Sequence, residues 1–315
     1  TIHANAIPVY ADVLEDRFTI DPEDIERKIT PKTKAISIVS VYGLPCEMDE
    51  IMRISNKYGI PVIEDNAECF TSTYKGQVVG TIGDMASYSF ENSKHLSCGE
   101  GGILITNNSE YAKMARKVGG HGFKNLEADE GRVKADLDVF QNPNYKRHDT
   151  IGWNYRLSEF LSAIALAQLE RLDDLVKLRI DSAKIFLDAM DNCDYLIPQY
   201  TPDYSTNSYW SLGARYQGEK VNGVSWQDFR KRYMQNGGDG IYGSWSVPYL
   251  EPVMTERSFV RRMPSIYEDV SYEPGLCPVA ERIQSEMMVF KTNYRSLELA
   301  KAKADALHKT IRDFE

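Results

Sequence analysis

Two side chains in this sequence combine suitable chemistry with suitable placement, Asp65 and Lys94. Asp65 closes the apolar run PVIED at 61–65, and Lys94 follows the run MASYSF at 85–90. If both runs are strands of a parallel sheet, both residues lie at its carboxyl edge, where open α/β sheets bind their ligands. A lysine there that is partly desolvated loses its proton readily and forms an imine with an aldehyde. A carboxylate facing a pyridine nitrogen keeps that nitrogen protonated, so that the ring becomes an electron sink. Taken singly neither residue is specific. An aspartate at a strand end often serves as a structural cap, and a lone lysine is most often a solvated surface group.

The elements that would position this pair are legible in the first half of the chain. Apolar, β-branched runs alternate with helical periodicities: IPVYADV, DPEDIERKI, AISIVSVYG, DEIMRISNKYG and PVIEDNA. That alternation predicts a mostly parallel sheet. Asp21 with Pro22 and Asp49 with Glu50 mark two helix starts, and Gly59 closes the second helix before Pro61. Further strands are expected at 85–90 and 102–106, followed by the helix SEYAKMARKVGG. The polar stretch 124–150 reads as a surface excursion. From Ser158 the spacing of Leu161, Ile164, Leu169, Leu172 and Leu175 predicts one long helix, with no proline before Pro198. Beyond it come the strand-like YWSLGARYQ, a helix SWQDFRKRYMQNG, a Gly- and Tyr-rich loop to 250, and closing helices at 278–289 and 295–313. This gives two domains, a large one over 1–185 that includes the connecting helix and a smaller α/β one over 186–315.

Composition narrows the classes. The chain has 315 residues, 42% hydrophobic and 26% charged, enough to bury a large core. A formal net charge of -9 argues against a polyanion-binding surface, so no nucleic-acid partner is expected. No apolar run approaches the roughly 20 residues that cross a bilayer, and the opening segment lacks a secretory pattern, so a cytoplasmic protein without membrane contact is expected. Cys46, Cys69, Cys98, Cys193 and Cys277 lack CxxC spacing and fit a reducing compartment and packing roles, with no metal site. Asn107-Asn108-Ser109 matches a glycosylation triplet by chance alone.

The segments VIEDNAECF, YKGQVVGTIGD, SYSFENSKHLSCGEGGILIT and IGWNYRLSE occur in that order. Together they resemble the DegT/DnrJ/EryC1/StrS family of sugar aminotransferases, which use pyridoxal phosphate (PLP). The resemblance implies the type I, aspartate aminotransferase-like fold, an α/β architecture. It also implies roles. Lys94 would be the Schiff-base lysine, Asp65 would contact the pyridine nitrogen, and Ala67 would pack on one ring face. The position typically held by Gln or His touching the ring hydroxyl is Glu68, a carboxylate that would need a proton or a different partner there. The pattern S-F-x-x-[ST]-K matches Ser89-Phe90-Glu91-Asn92-Ser93-Lys94, which makes Ser89 a ligand of the cofactor phosphate. Asn154 resembles the asparagine that reaches the cofactor of a neighbouring subunit, implying a homodimer with shared active sites. Family members usually carry an upstream Gly-Thr turn that binds the phosphate, so a segment of roughly 70 to 80 residues is expected to precede Thr1.

Several neighbours carry two readings. His95 is either catalytic or sent elsewhere by its adjacency to Lys94. His121 and His148 either line the site or belong to loops. Gly99, Gly101 and Gly102 lack nucleotide-loop spacing and read as a turn into the following strand. Tyr242 and Trp245 either stack on a sugar or base or pack in the core.

The resemblance implies transfer of an amino group from L-glutamate to a keto sugar, in surface polysaccharide or amino sugar biosynthesis. The acceptor is either nucleotide-linked or a free keto sugar acid such as an 8-oxo octulosonate. The rivals are a PLP-dependent sugar 3-dehydratase, whose lysine position holds histidine, and a non-catalytic regulatory relative on the same fold.

Overall fold

The sheet that carries Asp65 and Lys94 has four strands: β1 (Ile36–Val39), β2 (Val62–Asp65), β3 (Met85–Ser89) and β4 (Gly102–Ile105). In the computed structural model, which describes all 315 residues, they lie in sequence order. β1, β2 and β3 are parallel and β4 runs antiparallel to β3. Helices α1 (Pro22–Lys28) and α2 (Met48–Tyr58) flank β1 in the chain. The Asp21 side chain caps α1 by accepting from Glu23 N, and Pro22 occupies its first position. α2 ends on Gly59, at φ 64, a left-handed conformation that glycine adopts without strain. Its start differs from expectation. The N-cap is Glu47, and Asp49 and Glu50 fall inside the first turn, where their charges face the positive helix end. Ile51 and Ile54 of α2 pack with Ile36 and Ile38 of β1 and Val62 of β2, so the sheet has a solid floor beneath the edge where Asp65 ends its strand.

The segment IPVYADV is not a strand. Only Val13 forms an isolated bridge, to Ile20. Its polar and aromatic members are committed elsewhere: Asp12 accepts from Val279 N and Ala280 N, and the Tyr10 ring lies 5.1 Å from Tyr249 and 5.4 Å from Tyr272. Helix α3 (Ser109–Gly119) is capped by Asn108, which is what the Asn-Asn-Ser triplet does here. The stretch 124–150 is largely exposed and holds a two-residue hairpin and the short helix Leu137–Gln141.

The long helix expected from Ser158 is two helices, α4 (Glu159–Leu169) and α5 (Leu172–Met190), broken at Glu170 and Arg171. No Gly or Pro announces the break. The two helices bury different sets of side chains, and tertiary packing overrides a continuous helical pattern. α4 is apolar on all sides yet buries only Ala165, leaving Phe160 87% exposed. α5 buries Val176, Arg179, Ala183, Phe186 and Met190 at helical spacing.

A second, antiparallel sheet has the order β7 (Met287–Lys291), β6 (Ser211–Tyr216), β5 (Leu196–Pro198). Helices α6 (Trp226–Gln235), α7 (Pro278–Gln284) and α8 (Leu297–Arg312) complete this half. The helix expected over 278–289 therefore stops at Gln284, because the run Met287–Lys291 is an apolar strand that pairs with β6. α5 joins the halves: Val176 packs with Phe70 and Leu96, while Phe186 and Met190 enter the core formed with Phe290, Leu307 and Ile311. No helix is long and apolar enough to cross a membrane.

Candidate active site

β3 ends at Ser89, and the chain then turns through 90–101 before returning as β4. The turn is pinned at its neck by Phe90 N–H to Gly101 O at 2.9 Å and Cys98 N–H to Phe90 O at 3.1 Å. Gly99 and Gly101 have positive φ, and a Cβ at Gly102 would fall 2.7 Å from Tyr88 O, so these glycines serve backbone geometry. The Glu91 carboxylate accepts from both the amide (2.9 Å) and the hydroxyl (2.6 Å) of Ser93, tightening the turn that presents Lys94. Lys94 Nζ stands 3.5 Å from Glu68 Oε1 and 4.2 Å from the centre of the Trp210 ring, with 13% of its side chain exposed.

β2 delivers two adjacent carboxylates with opposite fates. Glu64 points into the interior and is consumed by structure, accepting from Gly80 N (2.6 Å), Ile82 N (3.0 Å) and Gly83 N (2.6 Å). Asp65, on the other face of the strand, accepts from Ala67 N at 3.0 Å through Oδ1. Its second oxygen has no protein donor. Glu68 follows one turn on, with Oε2 accepting from Tyr42 N at 3.0 Å. Burial pushes the Glu68 carboxyl above its ordinary range, and the nearby Asp65 charge adds to that, while Tyr42 N and Lys94 pull it back. The partner that Glu68 lacks in sequence terms is thus Lys94 itself.

Tyr42 holds a left-handed backbone at φ 62, with its ring against Gly213 of β6, where a Cβ would lie 2.7 Å from Cδ2. Burial pushes its hydroxyl up to about 12. Ser89 Oγ accepts from Glu91 N at 3.2 Å and keeps its own proton to donate. Asn154 stands apart. It is exposed, bridges to Gly120 and accepts from Arg156, with no hydrogen bond to Asp65, Glu68, Ser89 or Lys94.

His95 turns away from Lys94 into the interior. Its Nε2 lies 2.9 Å from Ser208 O, which can only accept, so Nε2 carries the proton. Burial first, and then the Arg179 charge, drive the imidazole down to about 3, so the ring is neutral and has no acid to give near neutral pH. His148 stacks on Phe123 and bonds His121 O, a loop arrangement. Tyr242 and Trp245 are 70% and 90% exposed, so core packing is not their role.

Three residues around Lys94 were not legible beforehand: Tyr42, Trp210 and Arg179. Trp210 sat in a strand-like run and Arg179 on a helical stripe, where a hydrophobic pattern gives no reason to single out either. Arg179 at a core-facing position of α5 was the one available signal, since a buried arginine demands partners.

The sequence matches the DegT/DnrJ/EryC1/StrS aminotransferase family over residues 1–303. The chain belongs to that family. It is 37% identical over 184 residues to the GDP-perosamine synthase of Escherichia coli O157:H7, which covers 58% of this chain and 46% of that protein. It superposes on the aminotransferase from Psychrobacter cryohalolentis with a TM-score of 0.79 at 27% identity, covering 98% of this chain and 76% of the other. The E. coli GDP-4-keto-6-deoxy-D-mannose-3-dehydratase, solved with bound hydrated PLP, shares the fold at a TM-score of 0.75 and 23% identity, over 96% and 73% of the two chains. The chain spans about half the length of the curated relatives it matches.

The donor set fits the cofactor that family membership implies. An amine held beside a carboxylate and an indole, a second carboxylate with one oxygen unclaimed, and a hydroxyl with a proton to donate are the groups that an aldehyde, a pyridine nitrogen and a phosphate require.

Proposed function

We propose that the chain is part of a PLP-dependent aminotransferase that moves an amino group from L-glutamate to a keto sugar. The observation that carries this reading is Lys94 Nζ, held between Glu68 and the Trp210 ring beyond the end of the strand that follows Asp65's own in the sheet. When bound, PLP supplies an aldehyde for the amine and a ring that accepts electrons from a neighbouring carbon.

Each residue has a task in this scheme. Lys94 Nζ would hold the cofactor and would serve as the base for the proton on the donor's α-carbon. Asp65 would offer its unclaimed oxygen to the pyridine N–H and so keep that nitrogen charged. Ala67 would pack against one face of the ring. Glu68, whose carboxyl burial pushes up, pairs with Lys94 and would stand beside the ring hydroxyl. Ser89 donates to the phosphate. Trp210 covers one side of the amine and shields that side from water.

The same reading assigns Asn154 to a second copy's cofactor in a homodimer. It is supported by the exposed apolar side chains around it, Ile151, Trp153, Tyr155 and Phe160, which a second copy would cover. The acceptor is a keto sugar, nucleotide-linked or free. The shared fold of the 3-dehydratase keeps that chemistry as a rival, and the presence of Lys94, where that activity is expected to hold histidine, favours transamination. The deciding experiment is spectroscopic. The protein loaded with PLP should show a visible absorbance band that L-glutamate bleaches, and Lys94→Ala should lack it. A wild-type band that no amino donor bleaches refutes the proposal.

A further inference from the structure

Three cationic side chains other than histidine are buried in this protein, Lys117, Arg179 and Arg215. Lys117 faces Asp149, and Arg215 faces Glu15 and Glu286. Arg179 faces no carboxylate. Its guanidinium donates instead to three main-chain oxygens, from Nη1 to Trp210 O and from Nη2 to Ser93 O and Lys94 O, each at 2.8 Å. Burial pulls its pKa down to about 10, which leaves it charged at neutral pH. An unpaired charge in a protein interior is costly, and carbonyl dipoles offset that cost only when the donor geometry is fixed.

What the three carbonyls have in common is Lys94. Two belong to the turn that bears it and the third to the residue whose ring covers its amine. The same two segments are joined again by Trp210 Nε1–H to Ser93 O at 2.9 Å and by His95 Nε2–H to Ser208 O at 2.9 Å. Thr292 Oγ fixes the far side, donating to Tyr209 O or Trp210 O. A lysine side chain has four rotatable bonds and sweeps a wide volume unless both its base and a wall are held. Arg179 holds the base to the wall, and its planar fork reaches three acceptors at once in a way that a lysine ammonium does not reproduce.

We propose that Arg179 is a positioning residue for Lys94: it locks the main chain of Ser93 and Lys94 to Trp210, and this sets the amine over the indole and beside Glu68. The inference rests on the reading of Lys94 as the reactive amine, and two independent readouts separate the two.

The first needs no cofactor. Cofactor-free protein is treated briefly with acetic anhydride, and acetylation of Lys94 is followed by mass spectrometry against exposed Lys231 as an internal standard. Arg179→Ala, Arg179→Lys and Trp210→Phe should each change the Lys94 rate about tenfold or more while Lys231 stays constant. The second is the rate at which added PLP develops its absorbance band. A misplacement on the order of 1 Å costs about a hundredfold, so Arg179→Ala should load about a hundredfold more slowly. Millimolar guanidinium should restore at least a tenth of the lost rate and methylammonium should not. If Arg179→Ala does not fold, Arg179→Lys and Trp210→Phe carry the test. Variants that melt at lower temperature but, while folded, label Lys94 and load PLP at the wild-type rates assign Arg179 to stability alone and overturn the inference. Wild-type protein that forms no band with PLP refutes the reading of Lys94, whereas the labelling result still decides the role of Arg179.

Discussion

The neutral imidazole of His95 makes a quantitative prediction about acid stability. The ring is 4% exposed and faces two cations, Arg179 and Lys94, with the Phe70 ring beside it and the Ser208 carbonyl as its one hydrogen-bond partner. Its pKa falls from 6.5 in an open chain to about 3 in the folded protein. The unfolded chain therefore takes up a proton below pH 6.5 that the folded chain refuses, so stability is intact above 6.5 and is lost as pH falls toward 3. At about pH 4.5 the loss spans about two pH units, which at about 1.4 kcal/mol per unit is about 3 kcal/mol, a large part of a typical domain's stability. His95→Gln keeps a donor for Ser208 O and cannot titrate. Urea unfolding of both proteins at about pH 7 and about pH 4.5 cancels the carboxylates they share. The wild type should lose about 3 kcal/mol more than the variant on acidification. A stability difference that is the same at both values refutes the placement of this ring.

Two further outcomes follow from the same site. The Glu68 carboxyl is pushed up by burial, so its folded-state cost is absent in acid and grows as pH rises through its own value; in cofactor-free protein, Glu68→Gln should gain stability over wild type with rising pH, and a gap in melting temperature that stays constant refutes this. Gly213→Ala would place a methyl 2.7 Å from Tyr42 Cδ2, and overpacking of this kind costs about 1–3 kcal/mol. Because Tyr42 N holds Glu68, the same variant should alter the Lys94 acetylation rate, and an unchanged rate would break that link.

How far the sequence discloses this arrangement depends on the range of the interactions concerned. Asp21, Pro22 and Gly59 act within one turn of their own helices and announced it. β2 and β3 were readable because apolar β-branched runs ending in a polar residue have few other fates. Apart from the start of α2, the failures have distant causes. Asp12 leaves the segment IPVYADV without a strand because its carboxylate is taken by the start of α7, far along the chain. Met287–Lys291 is a strand because β6 lies beside it. The break at Glu170 and Arg171 reflects two helices packing on different neighbours. At the site, local motif spelling pointed to Asp65, Glu68, Ser89 and Lys94, whereas Trp210, Arg179 and Tyr42 reach the lysine only through tertiary folding.

The lock on the lysine turn also bears on how the protein is made. Ser93 meets its indole partner 117 positions later in the chain. At translation rates of about 5–20 residues per second, the ribosome needs on the order of ten seconds to supply that partner after Ser93 itself. During that interval the turn lacks the Trp210 contacts that hold it in the folded protein. The turn that bears Lys94 is thus completed late, although it lies in the first third of the chain.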